Sequence, residues 1–178
     1  MSERIDSIAT THLGITYRSI LECKWAQVFA MLGLTAHYEP ITLGNYIPDF
    51  ILDANLYAGS HRQPVTPLLV EIKPHLVPED YRETINTIAR SGWTGAALVL
   101  GACIRKREFW SEEMWCGYGH PSVKPSHAES IAHDWFQVGW SGPESKDAPN
   151  MFAMGGKFDL TKMWREAGRR TQWLPDGR

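Results

Sequence analysis

The stretch Leu68-Leu69-Val70-Glu71-Ile72-Lys73-Pro74 reads as a strand that stops at its proline, which has no N–H to give to a ladder. Side chains alternate along a strand, so Val70 and Ile72 share one face while Glu71 and Lys73 share the other. Two residues span roughly 6.6 Å of backbone, so both charged heads can converge on one small object. An ordinary ion pair on an exposed sheet face fits the same letters.

Working outward, two more short strands are predicted upstream, Ala36 to Thr42 and Ile47 to Asp53, joined by turn chemistry at Leu43-Gly44-Asn45. Asn55 to Pro67 carries Gly59, Ser60 and Pro64 and reads as a loop. Downstream, Pro78 to Arg90 has the signature of a helix. Proline opens it, Glu79 and Asp80 sit in its first turn, Tyr81, Ile85, Ile88 and Ala89 share a face, and Gly92 follows. Ala96 to Leu100 is apolar throughout, as expected of a strand covered on both sides. Before all of these, residues 18 to 32 place Leu21, Trp25, Val28, Phe29 and Leu32 at helical spacing, with Gly33 at the stop. Helix, strands, helix, buried strand is an α/β order with a mixed sheet.

The ends carry weaker patterns. The first fifteen residues are polar without clear period and read as a loose arm or a short helix. Arg105 to Trp115 has a helical reading, and Gly117 to Asn150 is irregular in composition. Asp159 to Gly168 predicts a last helix with an apolar face of Leu160, Met163, Trp164 and Ala167 and a glycine stop. The expected organisation is an arm (1–16), a core (17–116) and an extension with a final helix on the same domain (117–178).

Bulk properties narrow the function classes. The 178 residues are 43% apolar and 21% charged, which excludes wholesale disorder and matches one domain of ordinary size. The longest apolar runs, such as Gly95 to Ala102, fall far short of the roughly 18 residues that cross a bilayer, and no basic, apolar leader opens the chain. A cytoplasmic protein with no membrane partner is expected. A net charge of −2 excludes nucleic-acid binding by blanket electrostatics, so any DNA contact needs a local patch or metal ions. The three cysteines are expected to be reduced.

Acids occur where a core belongs. Asp49, in Tyr46-Ile47-Pro48-Asp49-Phe50-Ile51-Leu52, is flanked by large apolar residues, a setting aspartate rarely occupies without a partner. Capping a turn after Pro48 is the other explanation for it. Glu22 lies three residues from Trp25 and seven from Phe29, at the border of the apolar stripe, where a solvated glutamate is equally in keeping. If the first helix packs on the sheet, however, Glu22, Asp49 and Glu71 approach one another. Crowded carboxylates repel and take up protons unless a cation joins them, and oxygen ligands suit Mg²⁺ or Mn²⁺.

The ordered set Glu22, Pro48-Asp49 and Glu71-Ile72-Lys73 resembles the PD-(D/E)XK nuclease superfamily, the restriction-endonuclease-like fold. The run from Tyr17 through Arg18-Ser19 and Glu22 to Phe29 is similar to the first helix of a compact phage and bacterial branch. Tyr38-Glu39-Pro40, Tyr46-Ile47-Pro48-Asp49-Phe50 and Val70-Glu71-Ile72-Lys73-Pro74 follow in that branch's order. The likeness spans residues 17 to about 101. It implies that Asp49, Glu71 and the carbonyl of Ile72 hold Mg²⁺ (or Mn²⁺), that Glu22 acts at a second metal position or through water, and that Lys73 serves the attacking water and the phosphate. The implied activity is metal-dependent hydrolysis of DNA in phage or bacterial DNA processing, recombination or repair, with a homodimer as a natural way to cut two strands.

Arg18, one helical turn before Glu22, fits a phosphate contact, a support for Glu22 or a surface pair, and Ser19 fits a helix cap or a phosphate donor. Arg169 and Arg170, with Trp173, fit a DNA contact or a solvated tail, and Arg105-Lys106-Arg107 fits a phosphate-backbone contact or a solvated helix face. Cys103, Cys116, His120, His127 and His133 have zinc-binding chemistry but no paired CxxC. A non-catalytic DNA-binding or assembly protein on a nuclease fold is the alternative function. The presence of all four expected side chains argues against it.

Overall fold

Ser19 starts the main helix. Its backbone is extended, its hydroxyl accepts from the Glu22 N–H at 3.2 Å and donates to Glu22 Oε1 at 2.9 Å, and α1 runs Ile20–Met31. The helix ends where Gly33 takes a φ of 72°, the left-handed stop that glycine permits. The computed structural model describes residues 8–53, 56–58, 63–65, 67–74, 78–108, 111–120, 136–140 and 160–171. Before α1 come β1 (Thr10–His12) and β2 (Ile15–Tyr17). After it come β3 (Thr35–Tyr38), β4 (Phe50–Asp53), β5 (Leu56–Ala58), β6 (Gln63–Val65) and β7 (Leu68–Ile72). Then follow α2 (Pro78–Arg90), β8 (Ala96–Glu108), β9 (Ser111–His120), β10 (Phe136–Trp140) and α3 (Leu160–Arg170).

Six strands form one mixed sheet in the order β10-β9-β8-β7-β4-β3. Among the described strands only β7 and β8 run parallel, with Glu71 opposite Val99 and Ile72 opposite Leu100, and α2 supplies the crossover that a parallel pair requires. The other neighbours are antiparallel, with Phe50 opposite Val70 between β4 and β7. Alternation sorts the core. Phe50, Leu68, Val70, Ile72, Leu98 and Leu100 pack on the α1 side with Trp25, Val28 and Phe29. Ile51, Leu69, Ala97 and Val99 pack on the α2 side with Tyr81, Ile85 and Ile88. Each large buried side chain contributes about 1.5–3 kcal/mol, so the two layers hold both helices to the sheet. Trp25 adds a polar tie, its Nε1–H donating to the Gly101 carbonyl at 2.9 Å.

Several expectations change. The first residues described are neither arm nor helix: β1 and β2 form a hairpin through Leu13 and Gly14, at φ 48° and 80°. That is the primed turn geometry, disguised in sequence because leucine holds its first corner. The Asn55 to Pro67 segment contains the small β5–β6 hairpin rather than only loop, and Pro64 is tolerated because a two-stranded ribbon has nothing but edges. The described parts of the Arg105 to Trp115 stretch are not helical: residues 105–108 belong to β8 and residues 111–115 to β9. The β8–β9 register sets Lys106 opposite Glu113 and Arg107 opposite Glu112. The stretch after Gly117 is not wholly irregular, since β9 continues to His120 and β10 pairs with it. The predicted strands at 36–42 and 47–53 shorten to β3 and β4, because Glu39 turns left-handed at φ 45°. Gly168 does not stop the last helix. α3 continues to Arg170, the Asp159 cap lies outside the described residues, and Trp164 rests on Trp25 with ring centres 5.1 Å apart. Among the described residues no helix is long and apolar enough to cross a membrane.

Candidate functional site

Three carboxylates sit where the start of α1, the approach to β4 and the end of β7 meet. Glu22, Asp49 and Glu71 are only 7%, 3% and 8% exposed, so none is an ordinary solvated acid. Asp49 directly precedes β4, and its Oδ2 accepts from the Ile72 N–H at 2.6 Å, which ties it to the end of β7. Its Oδ1 is held by Arg18 Nη2. Glu71 Oε1 pairs with Lys73 Nζ at 2.8 Å, and Glu71 Oε2 accepts from the Tyr46 hydroxyl at 2.7 Å. The ion pair expected of an exposed sheet face thus exists, but on a buried carboxylate.

Glu22 belongs to the same network at one remove. Its Oε2 accepts from the Tyr38 hydroxyl at 2.6 Å and from the Arg18 N–H at 3.1 Å, while the Arg18 guanidinium reaches across to Asp49. Ser19 serves as the cap, and Arg18 steadies Glu22 through its backbone rather than its side chain. The Arg18 Nε also pairs with Glu39 Oε1 at 2.7 Å.

The electrostatics follow from burial. Burial pushes the Asp49 carboxyl from its ordinary 3.8 up to about 7; Glu71 and Glu22 add repulsion, and the Ile72 N–H and Arg18 oppose it. Burial works against the Arg18 charge, yet Asp49, Tyr38, Glu39 and Glu22 hold the guanidinium protonated more firmly than usual. The Tyr46 phenol is raised by burial and then by Glu71, and the Tyr38 phenol by burial and its bond to Glu22, so both remain donors.

A cavity of about 430 Å³ opens beside Glu71 and Lys73, between Tyr46, Pro74 and the α2 residues Glu83, Thr84 and Thr87. Lys73, with its side chain 37% exposed, reaches from Glu71 towards this opening.

Among the described residues no three His, Cys, Asp or Glu side chains are drawn together as a ready cage for a metal ion. The donor chemistry nevertheless suits a hard divalent cation. The acids are buried and mutually repelling, all the donors are oxygen, and a guanidinium stands in for a cation on Asp49.

Other expected site residues lie elsewhere in the interaction pattern. Arg169 and Arg170 pair with Glu166 on their own helix, at 3.7 and 2.9 Å. Cys103 falls where the β8–β9 register shifts between Leu100 and Ile104, but its side chain and those of Cys116 and His120 lie outside the described residues, as do His127 and His133. Tyr38, Tyr46 and Glu39 are site residues whose roles the sequence reading missed. The signal lay in the same short motifs, since each lies within a few residues of Pro40 or Pro48 on the approach to Asp49. Comparison with family models, with curated proteins and with solved structures finds no match to this chain.

Proposed function

We propose that this chain is a metal-dependent DNA endonuclease with a restriction-endonuclease-like fold, and that Glu22, Asp49, Glu71 and Lys73 form its active site. The observation that carries the reading is the burial of three carboxylates beside a lysine at one end of a mixed sheet, in the order the PD-(D/E)XK resemblance implies. A stability role alone does not account for them, because buried like charges cost free energy that apolar residues in the same places would not.

Asp49, Glu71 and the Ile72 carbonyl would hold Mg²⁺ or Mn²⁺, with Glu22 as an outer partner. Such an ion supplies Lewis acidity, which makes water a better nucleophile near neutral pH and offsets phosphate charge. The protein's own groups do the rest. The Ile72 N–H keeps Asp49 aimed at the end of β7, and Tyr46 keeps one oxygen of Glu71 fixed, so the other is free to face Lys73 and the ion. The Lys73 ammonium then orients the attacking water and balances the extra negative charge on phosphorus as the bond to the leaving oxygen breaks. Because the metal brings the positive charge, a protein of net charge −2 can still accept a polyanion. The finer part of the proposal is that cutting is directed by a DNA structure or a DNA end.

The test is a panel of supercoiled plasmid, linear, single-stranded and branched DNA, each incubated with Mg²⁺ or Mn²⁺ and again with a chelator. Cutting of at least one substrate that stops with chelator is expected. Binding without cutting on every substrate would instead identify a DNA-binding protein on a nuclease fold.

A further inference from the structure

Arg18 joins two carboxylates of unequal standing. Its Nη2 contacts Asp49 Oδ1, on a side chain 4% exposed, and its Nε contacts Glu39 Oε1, on a side chain 31% exposed. The Arg18 side chain is itself 56% exposed, so the guanidinium reaches the buried acid from the solvent side. It can withdraw without opening the core.

The backbone around it is fixed. The Arg18 N–H donates to Glu22 Oε2 at 3.1 Å and to the Tyr38 hydroxyl at 2.9 Å, so only the side chain has freedom to move. Glu39 is equally well placed. Its backbone is left-handed at φ 45°, and its N–H donates to the Asp49 carbonyl at 3.0 Å. A non-glycine residue in that conformation costs on the order of 1 kcal/mol, which the surrounding structure must offset. The fold therefore keeps the Glu39 carboxylate beside Asp49.

We infer that Arg18 is the resident counter-ion of the acid cluster, which a divalent cation displaces from Asp49 so that the guanidinium, still held by Glu39 through its Nε, turns its Nη groups to a phosphate of the substrate. This rests on the metal-dependent reading proposed above. A guanidinium and a divalent cation cannot share one carboxylate oxygen without strong repulsion, so binding of one requires the other to leave. The planar fork of arginine suits a phosphate, and Glu39 holds its Nε while the Nη groups are freed. Arg18 is thus a positioning residue with two stations, and its effect falls on cation affinity before any bond is cut.

Calorimetric titration of the purified chain with Mn²⁺, without DNA, tests this by the sign of two changes. Arg18→Met removes the competitor and is expected to tighten Mn²⁺ binding by about fivefold, the worth of one partly exposed charge pair. Glu39→Gln removes the receiving station, leaves the guanidinium to Asp49, and is expected to weaken binding by about threefold. Damage to the fold would weaken both, and a thermal melt of each variant checks for it. Unchanged or weaker binding by Arg18→Met, with the wild type still binding, overturns the displacement alone. No Mn²⁺ binding by the wild type at millimolar concentration overturns the metal-dependent reading with it.

Discussion

Two aspartates bracket β4, and they live in different worlds. Asp53, at the far end, pairs with His37 at 2.8 Å across the edge strand, with both side chains about half exposed or more. Asp49, at the near end, is buried among Glu71, Arg18 and the Ile72 N–H. The strand between them is ordinary core, with Phe50, Ile51 and Leu52 all buried. Residue type therefore says little about these acids. What separates them is which end of the sheet they occupy: one end opens to water beside β3, and the other is covered by the start of α1.

Substitutions sharpen the contrast. The largest expected effect is on cutting: Asp49→Ala or Glu71→Ala should lower the rate of DNA cleavage by roughly 10³-fold or more and Lys73→Ala by about 10²-fold, with circular dichroism still native. Equal rates for Asp49→Ala and wild type would erase the distinction between the two ends.

The pH dependence of stability comes next. The Asp49 carboxyl is raised in the folded chain to about 7 from 3.8, so between those values the native state keeps a proton that the unfolded chain has lost. The stability this group contributes is full below pH 4 and is lost as pH rises through about 7. Urea unfolding of the cation-free protein should therefore show its midpoint falling from pH 5 to pH 7.5, and Asp49→Asn should flatten that slope. A slope unaltered in Asp49→Asn would place the titrating group elsewhere.

Tyr46→Phe should act more gently. It removes one hydrogen bond from Glu71 and is expected to cost about 1 kcal/mol of stability, with a slower cleavage rate and little change in substrate binding. The smallest effect belongs to the exposed end. Asp53→Asn should shift the unfolding free energy by under about 0.5 kcal/mol and leave cleavage untouched, because a solvated pair is screened. A large loss of activity there would mean that both ends of β4 serve the site.

Legibility followed the period of the sequence. The α2 bounds and the twice-covered strand at Ala96 were readable because burial on one or both faces imposes a pattern of apolar residues. The hairpins were not. Leu13-Gly14 lacks the usual turn letters, and the charged run at Arg105 suits a helix face as well as a strand. Glu22, Asp49 and Glu71 stood out singly as acids in apolar company. Tyr38, Tyr46 and Glu39 did not, because nothing in a tyrosine or a pre-proline glutamate announces which distant carboxylate it will meet.

By itself, then, the sequence determined the alternation that puts Glu71 and Lys73 on one side of β7 and Ile72 on the other, since that is a property of any extended chain. It also offered Ser19 as a cap for α1, a local matter of one hydroxyl and the N–H three residues on. Only the tertiary structure decided that Arg18 lies on Asp49, that Asp49 is tied to Ile72, and that Tyr46 donates to Glu71. Those contacts join residues 23 to 31 positions apart, and the pairing of β4 with β7 under α1 is what brings them together.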